Sequence, residues 1–359
     1  MESQTLVNLI IFLLGFVFIL VLVNMVLVFR LKDIDPFRKW NPTTINATLF
    51  MLFLIFGLIA AYVSTGNYEH LFSLVNDPAS LHGVEIDKMF WNTMYVTILV
   101  VVLTNSLLFY YAFRYRQREG QKALYYPHNN KLELIWTIVP AVVMTILIAS
   151  GVQTWHDVMQ EAPEDAIEIE FYARQFDWTI RYQGEDKTFG QTHVKYIDPD
   201  MGNQLGFNFE DQAGHDDVVV TEIHVPVNTP IKMNIRSQDV LHSATLAHFR
   251  VKMDAVPGMP TSFWFVPTVT TKQMREKKNN PDFDYEMSCQ QICGGGHWNM
   301  RRVLIVETQE EYEEWLNKQT PFYASYKEMN GIEDGSTNTA SEEVPETTAN
   351  EDELAAVVN

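Results

Sequence analysis

Four stretches of this chain are long and apolar enough to dictate its architecture: Leu6 to Phe29, Ile45 to Val63, Phe90 to Phe113 and Leu134 to Val152, none with an internal charge. About 20 helical residues cross a bilayer core, and backbone in hydrocarbon must satisfy its own N–H and C=O groups, so each run reads as a membrane helix. The first run has no basic leader, no small-residue cleavage site and too long an apolar core for a signal peptide, which makes it a retained helix. Basic residues flanking such runs mark the cytoplasmic side. Arg30, Lys32, Arg38 and Lys39 join the first two runs, and Arg114, Arg116, Arg118 and Lys122 join the last two. The intervening loop, with Glu69, Asp77, Glu85 and Asp87, is then external, as are the N-terminus and everything after Val152. Pro140 lies inside the fourth run, where it removes one helix hydrogen bond.

From Ala162 the pattern changes to short alternating strands separated by polar turns: Ile167 to Tyr172, Trp178 to Tyr182, Val218 to Val225, Ile231 to Arg236, Phe249 to Met253, Phe263 to Val266, Phe283 to Met287 and Val303 to Val306. Such spacing predicts an all-β Greek-key sandwich or barrel. Thr308-Gln309-Glu310-Glu311 forms a capping box that opens a short helix. After Tyr326 the chain is polar and acidic, and disorder is expected. The net charge of −19 argues against a nucleic-acid partner. The plan is therefore a helix pair over residues 1–65, an external loop over 66–88, a helix hairpin over 89–155, an external β-domain over 160–325 and an acidic tail over 326–359.

Both cysteines lie in one loop, Cys289-Gln290-Gln291-Ile292-Cys293-Gly294-Gly295-Gly296-His297-Trp298-Asn299-Met300. Thiolate, imidazole and thioether are soft or borderline ligands, and a Met three residues after a His suits copper better than zinc. His242, in Asp239-Val240-Leu241-His242-Ser243 after the strand at 231–236, supplies a further ligand. One upstream His followed by Cys, His and Met on a later loop is the ligand order of cupredoxins. A mononuclear site needs one Cys, and the second allows two thiolates to bridge two coppers. Two other readings stay open on the residues alone. An exported domain can join its cysteines as a disulfide, and a membrane-anchored thioredoxin-like copper chaperone also uses CxxxC with a distant His.

These motifs resemble subunit II of the haem-copper cytochrome c oxidases, whose copper motif reads CxExCGxxHxxM after an upstream DVxHS, followed by KxDAxPG. Cys289 to Met300, Asp239 to Ser243 and Lys252 to Gly258 correspond, and Glu133-Leu134-Ile135-Trp136-Thr137-Ile138-Val139-Pro140 is similar to the second-helix signature ExxWTxxP. The resemblance covers Phe90 to Gln319, so the first two helices are extra to the family's pair. It implies a binuclear copper centre, CuA, held by His242, Cys289, Cys293, His297, Met300 and the backbone carbonyl of Gln291. It further implies partnership with oxidase subunit I and other subunits, a cytochrome c as electron donor, and a bacterial inner membrane with the copper domain in the periplasm. Oxygen reduction, coupled to proton pumping, would occur in subunit I. The quinol-oxidising members of the family lack these ligands.

The resemblance assigns further candidates. Arg174-Gln175-Phe176-Asp177-Trp178 is similar to the family's HQWYW, so Phe176 and Trp178 are candidates for electron input, although Phe176 replaces the tryptophan usually given that role. Arg301 and Arg302 are candidates for electron exit, where the family's arginines meet haem propionates, and Glu133 for the mouth of a proton pathway. Taken alone these are surface charges, strand aromatics and an interfacial carboxylate. Gln291 stands where the family carries the glutamate that helps bind a magnesium ion at the subunit I junction. An amide is a weaker ligand for a hard cation, which lowers the expectation of magnesium here. His70, His82, His156, His193, His215, His224 and His248 have no convergent partner in sequence and read as structural or solvated.

Overall fold

The computed structural model describes residues 17, 19–29, 41–67 and 78–332. They fall into two compact units: one holds the long helices, the other Ala79–Gly83 and the chain from Met159.

The helical unit contains three membrane-length helices among the described residues, α1 (Pro42–Asn67), α2 (Leu81–Arg114) and α3 (Asn130–Met159). Of the first predicted run, Ile19–Phe29 is described, as a shorter apolar helix. The rest of that run and the basic loop with Arg30, Lys32, Arg38 and Lys39 lie outside the described residues, as do Glu69 and Asp77. Asn41 caps α1, its Oδ1 accepting from the Thr43 N–H at 2.9 Å, and Pro42 takes the first helical position, where a missing N–H costs nothing. The start of α1 is tied to the end of α2: Thr43 Oγ1 donates to the Gln117 carbonyl at 2.9 Å, and Phe50 and Phe53 pack on Phe109 with centroids 5.9 and 6.0 Å apart. α1 and α2 therefore run antiparallel, as the alternation of basic loops requires.

Helix ends differ from the apolar runs. α2 begins at Leu81, so Glu85 and Asp87, expected in a loop, lie on its first turns. Ser80 is the cause, because its Oγ accepts the Gly83 N–H at 2.9 Å as an N-cap would. α3 likewise runs on to Met159 and continues through Pro140 unbroken. Apolar length marks the stretch that needs hydrocarbon, whereas caps mark where the helix ends.

The second unit is a sandwich of two five-stranded sheets, a cupredoxin-type fold. Its strands are β1 (Ile167–Arg174), β2 (Asp177–Tyr182), β3 (Val218–Val220), β4 (Ile223–Pro226), β5 (Ile231–Ser237), β6 (His242–Leu246), β7 (Val251–Ala255), β8 (Thr261–Phe265), β9 (Tyr285–Cys289) and β10 (Arg301–Glu307). The sheet orders are β3-β2-β1-β5-β8 and β4-β10-β9-β6-β7, with β1–β5 and β4–β10 parallel and the other pairs antiparallel. Alternation along β5 buries Ile231, Met233 and Ile235, and Ile169, Phe171, Trp178, Ile180, Leu246, Phe265, Met287 and Leu304 are buried likewise in the core. Each such side chain contributes roughly 1.5–3 kcal/mol on burial.

The single strand expected over Val218 to Val225 is two, β3 and β4, which pair in different sheets. β6 was not legible as a strand; His242 is its first residue. The capping box at Thr308 opens α5 (Gln309–Leu316), as expected: Thr308 Oγ1 accepts from the Glu311 N–H at 3.3 Å, and Glu311 Oε2 from the Thr308 N–H at 3.0 Å. A second capping box, Thr270 with Gln273, starts α4 (Thr271–Lys278), which sequence reading missed because the helix is almost wholly polar. The acidic tail does not begin at 326. Helix α6 (Phe322–Asn330) carries Phe322 and Tyr326 onto Phe207 and Phe209, with ring centroids 4.8 Å apart for Phe322–Phe207 and 4.1 Å for Phe209–Tyr326. Aromatic packing outweighs the polar composition there, and residues 333–359 lie outside the described residues.

Candidate metal centre

The predicted copper loop joins neighbouring antiparallel strands β9 and β10, and its neck is closed by the Cys289 N–H donating to the Met300 carbonyl at 3.0 Å. Cys289 ends β9, and its strand partner Ala244 lies two residues beyond His242 on β6. Sheet register thus sets a histidine and a cysteine 47 residues apart on adjacent strands. Gly294 turns the loop back with φ of 140°, a conformation that L side chains rarely adopt, and a 3-10 turn, His297–Asn299, returns it to Met300.

These turns bring the soft atoms together. The ligand atoms of His242, Cys289 and Cys293 all lie within 4.8 Å of one another. His242 Nδ1 is 3.9 Å from Cys289 Sγ, His297 Nδ1 is 3.6 Å from Cys293 Sγ, and Met300 Sδ is 3.8 Å from Cys293 Sγ. The Gln291 carbonyl oxygen is 3.2 Å from Cys289 Sγ. His242, Cys289, Cys293 and Met300 are buried, and the cysteines are free thiols. The disulfide reading therefore does not describe this structure. Burial, together with Cys289 beside it, pushes the Cys293 thiol up to about 11, so a thiolate here needs a cation to offset it.

Asp239 fixes the histidine. Its Oδ1 lies 2.9 Å from His242 Nε2, which leaves Nδ1 as the lone-pair nitrogen facing Cys289. Burial alone would raise the Asp239 carboxyl, but hydrogen bonds from His242 and from the Gln175 and Val240 N–H groups outweigh it and hold the group below its ordinary value. The donor set is two thiols, two imidazoles, a thioether and a carbonyl, in a mostly dry pocket. It fits a soft transition metal and offers no carboxylate ligand for a hard cation.

The remaining candidates separate. Phe176, at the tip of the β1–β2 hairpin, is 41% exposed and lies on the glycine triplet: a Cβ on Gly296 would come 2.5 Å from Phe176 Cγ. Trp178 is not a surface aromatic. It is 1% exposed because the alternation it shares with Ile180 and Tyr182 faces the core, where its ring lies 6.1 Å from that of His242. Arg301 is exposed and pairs with Glu286 at 3.4 Å. Arg302 turns the other way, bonded to the Asp177 carboxylate and to the Trp178 carbonyl at 3.0 Å. Glu133 sits in the first turn of α3, its carboxylate 3.5 Å from the Asn129 N–H. Sequence reading gave no role to Gln175 or Asp239. The Asp three residues before His242 was the available signal.

The domain has a second buried polar cluster that sequence reading missed. Arg181 pairs with Glu170 at 2.6 Å and Asp217 at 3.2 Å, and Arg236 also reaches Glu170. Burial raises the Asp217 carboxyl to about 6, with Arg181 opposing the shift.

Two family descriptions match the chain: "Cytochrome C oxidase subunit II, transmembrane domain" over residues 68–152 and "Cytochrome C oxidase subunit II, periplasmic domain" over residues 168–307. Alternative cytochrome c oxidase subunit 2 of Bradyrhizobium diazoefficiens is 35% identical over 239 residues, which cover 66% of this chain and 79% of that protein. Cytochrome c oxidase subunit 2 of Cereibacter sphaeroides is 26% identical over 242 residues, covering 64% and 76%. The crystal structure of the periplasmic domain of subunit II of cytochrome oxidase of Bradyrhizobium japonicum aligns with 44% of this chain and 95% of that one, at 22% identity and a TM-score of 0.30.

Proposed function

Because the chain belongs to the cytochrome c oxidase subunit II family, we propose that its β-domain accepts electrons from a cytochrome c at a pair of copper ions and passes them to haem in subunit I of a bacterial inner-membrane oxidase. The convergence of two thiols, an imidazole and a thioether from one loop with the imidazole of His242 from β6 carries this reading. Cys289 and Cys293 would supply the thiolates, His242 and His297 the imidazoles through Nδ1, Met300 the thioether and Gln291 its backbone carbonyl. When bound, a copper pair supplies a one-electron acceptor whose unpaired electron is shared between two metals.

The chain's own part is to hold that donor set rigid. Strand pairing fixes His242 against Cys289, and Asp239 fixes the His242 ring. Rigid ligands change little between oxidation states, which keeps the reorganisation energy low. Phe176, exposed beside the loop, is the surface for electron input, and Trp178 backs it from the core against His242. Arg301, exposed together with its partner Glu286, faces subunit I for electron exit, whereas Arg302 is engaged by Asp177 and supports the loop. Glu133, in the first turn of α3, is the candidate for the mouth of the proton pathway. A magnesium ion at the subunit junction would be weakly held, since Gln291 offers an amide where an anionic oxygen binds best.

The copper-to-chain ratio of the purified oxidase tests the proposal. Two coppers per chain beyond those of subunit I are expected. One would favour a chaperone-like site, and none a quinol-oxidising subunit.

A further inference from the structure

We infer that Gln175 is a positioning residue for the metal loop, one that clamps both halves of the donor set through the turn between β1 and β2. This rests on the functional reading above. The turn is only Gln175–Phe176, yet three parts of the centre converge on it. The Gln175 side-chain Nε2 donates to the Cys293 carbonyl at 2.6 Å. The Gln175 backbone N–H donates to Asp239 Oδ2 at 2.6 Å, and Asp239 Oδ1 holds His242 Nε2. Phe176 covers the glycines that follow Cys293: a Cβ on Gly294 would lie 2.8 Å from Phe176 Cε1 and 3.0 Å from Gln175 Nε2.

The two arms act on different ligands. The side-chain arm holds the peptide of Cys293, from which His297 and Met300 follow through the turn begun at Gly294. The backbone arm holds Asp239 and, through it, His242. A side-chain substitution at Gln175 cuts the first arm and leaves the second, because the backbone N–H remains. Loop glycines have high intrinsic freedom, so without the amide clamp the segment from Cys293 to His297 has few restraints. The clamp also explains the glycines: the hairpin approaches so closely that a side chain at residue 294 or 296 would collide with it.

The test is Gln175→Met, equal in length but without a donor, with Gln175→Asn, whose amide is too short to reach, as the second variant. Both are compared with the natural sequence in the purified oxidase. Amide exchange across residues 293–297 of the copper-free complex should become about tenfold faster, the factor expected for losing one hydrogen bond. After copper loading, copper content should persist while the hyperfine pattern changes and the midpoint potential shifts, with the melting temperature of the β-domain unchanged. Unaltered exchange, spectrum and potential in both variants would overturn the inference. If the natural sequence itself holds no copper pair, the functional reading fails, and the exchange measurement still decides the clamp.

Discussion

The β-domain contains two buried polar clusters, and they are built on opposite principles. Around Arg181, complementary charges face one another, with a guanidinium between the Glu170 and Asp217 carboxylates and the Phe189 and Phe207 rings 4.6 and 5.0 Å away. Around Cys289 the facing atoms are alike: sulfur meets sulfur, imidazole nitrogen and carbonyl oxygen, all of them electron-pair donors. The first cluster sets opposite charges against one another; the second is made of donors alone. A buried set of donors with no acid to match marks a site built for a metal, whereas a matched set marks structure.

Removing one partner should show the contrast most sharply. Arg181→Met leaves the buried Asp217 carboxylate without its cation and Glu170 with Arg236 alone, and should destabilise the domain by ~3–5 kcal/mol; urea unfolding of the purified chain measures it, and any folded fraction should keep its copper spectrum. Cys293→Ser should do the reverse, abolishing copper binding with little change in the unfolding midpoint of the copper-free chain. If Arg181→Met disturbed the copper spectrum and Cys293→Ser unfolded the domain, the division would be mistaken.

A pH series sharpens the same point with a smaller effect. Asp217 goes from an ordinary value of 3.8 to about 6 on folding, because burial outweighs Arg181 and Asp216 and Glu170 add to the rise. The folded state then binds more protons than the unfolded state between these values, so this group's contribution is present below about pH 4 and is lost as pH rises to about 6. Asp217→Asn should remove that slope, as seen in unfolding midpoints across the window.

The two clusters also differ in how far the sequence discloses them. Cys289, Cys293, His297 and Met300 share one loop, so residue type and spacing were enough to place them, and His242 followed from the ligand order. Glu170, Arg181, Asp217 and Arg236 lie on β1, β2, the edge of β3 and β5, with no spacing to link them; the sandwich brings them together. Gln175 was hidden likewise, since its partners Cys293 and Asp239 are distant in sequence. Apolar runs disclosed the membrane helices but not their ends, which Ser80 and Asn41 set by capping. The polar helix α4 carried its capping box in plain view, yet it lacked the apolar stripe that hydrophobic periodicity detects.

The smallest effect is expected at Gln291. Its carbonyl belongs to the backbone, so Gln291→Ala should leave copper content and spectrum nearly unchanged and should not release a tightly bound magnesium. Metal analysis of the purified oxidase checks both, and loss of copper would show that the side chain matters to the donor set.

On the proposed function, the unmatched donors around Cys289 and Cys293 hold two coppers as one redox unit. The electron paramagnetic resonance spectrum of the oxidised oxidase tests it most directly. Hyperfine structure from one electron shared equally by two copper nuclei, absent in Cys293→Ser, is the predicted result; the pattern of a single copper, or a shared pattern that survives in Cys293→Ser, would contradict it.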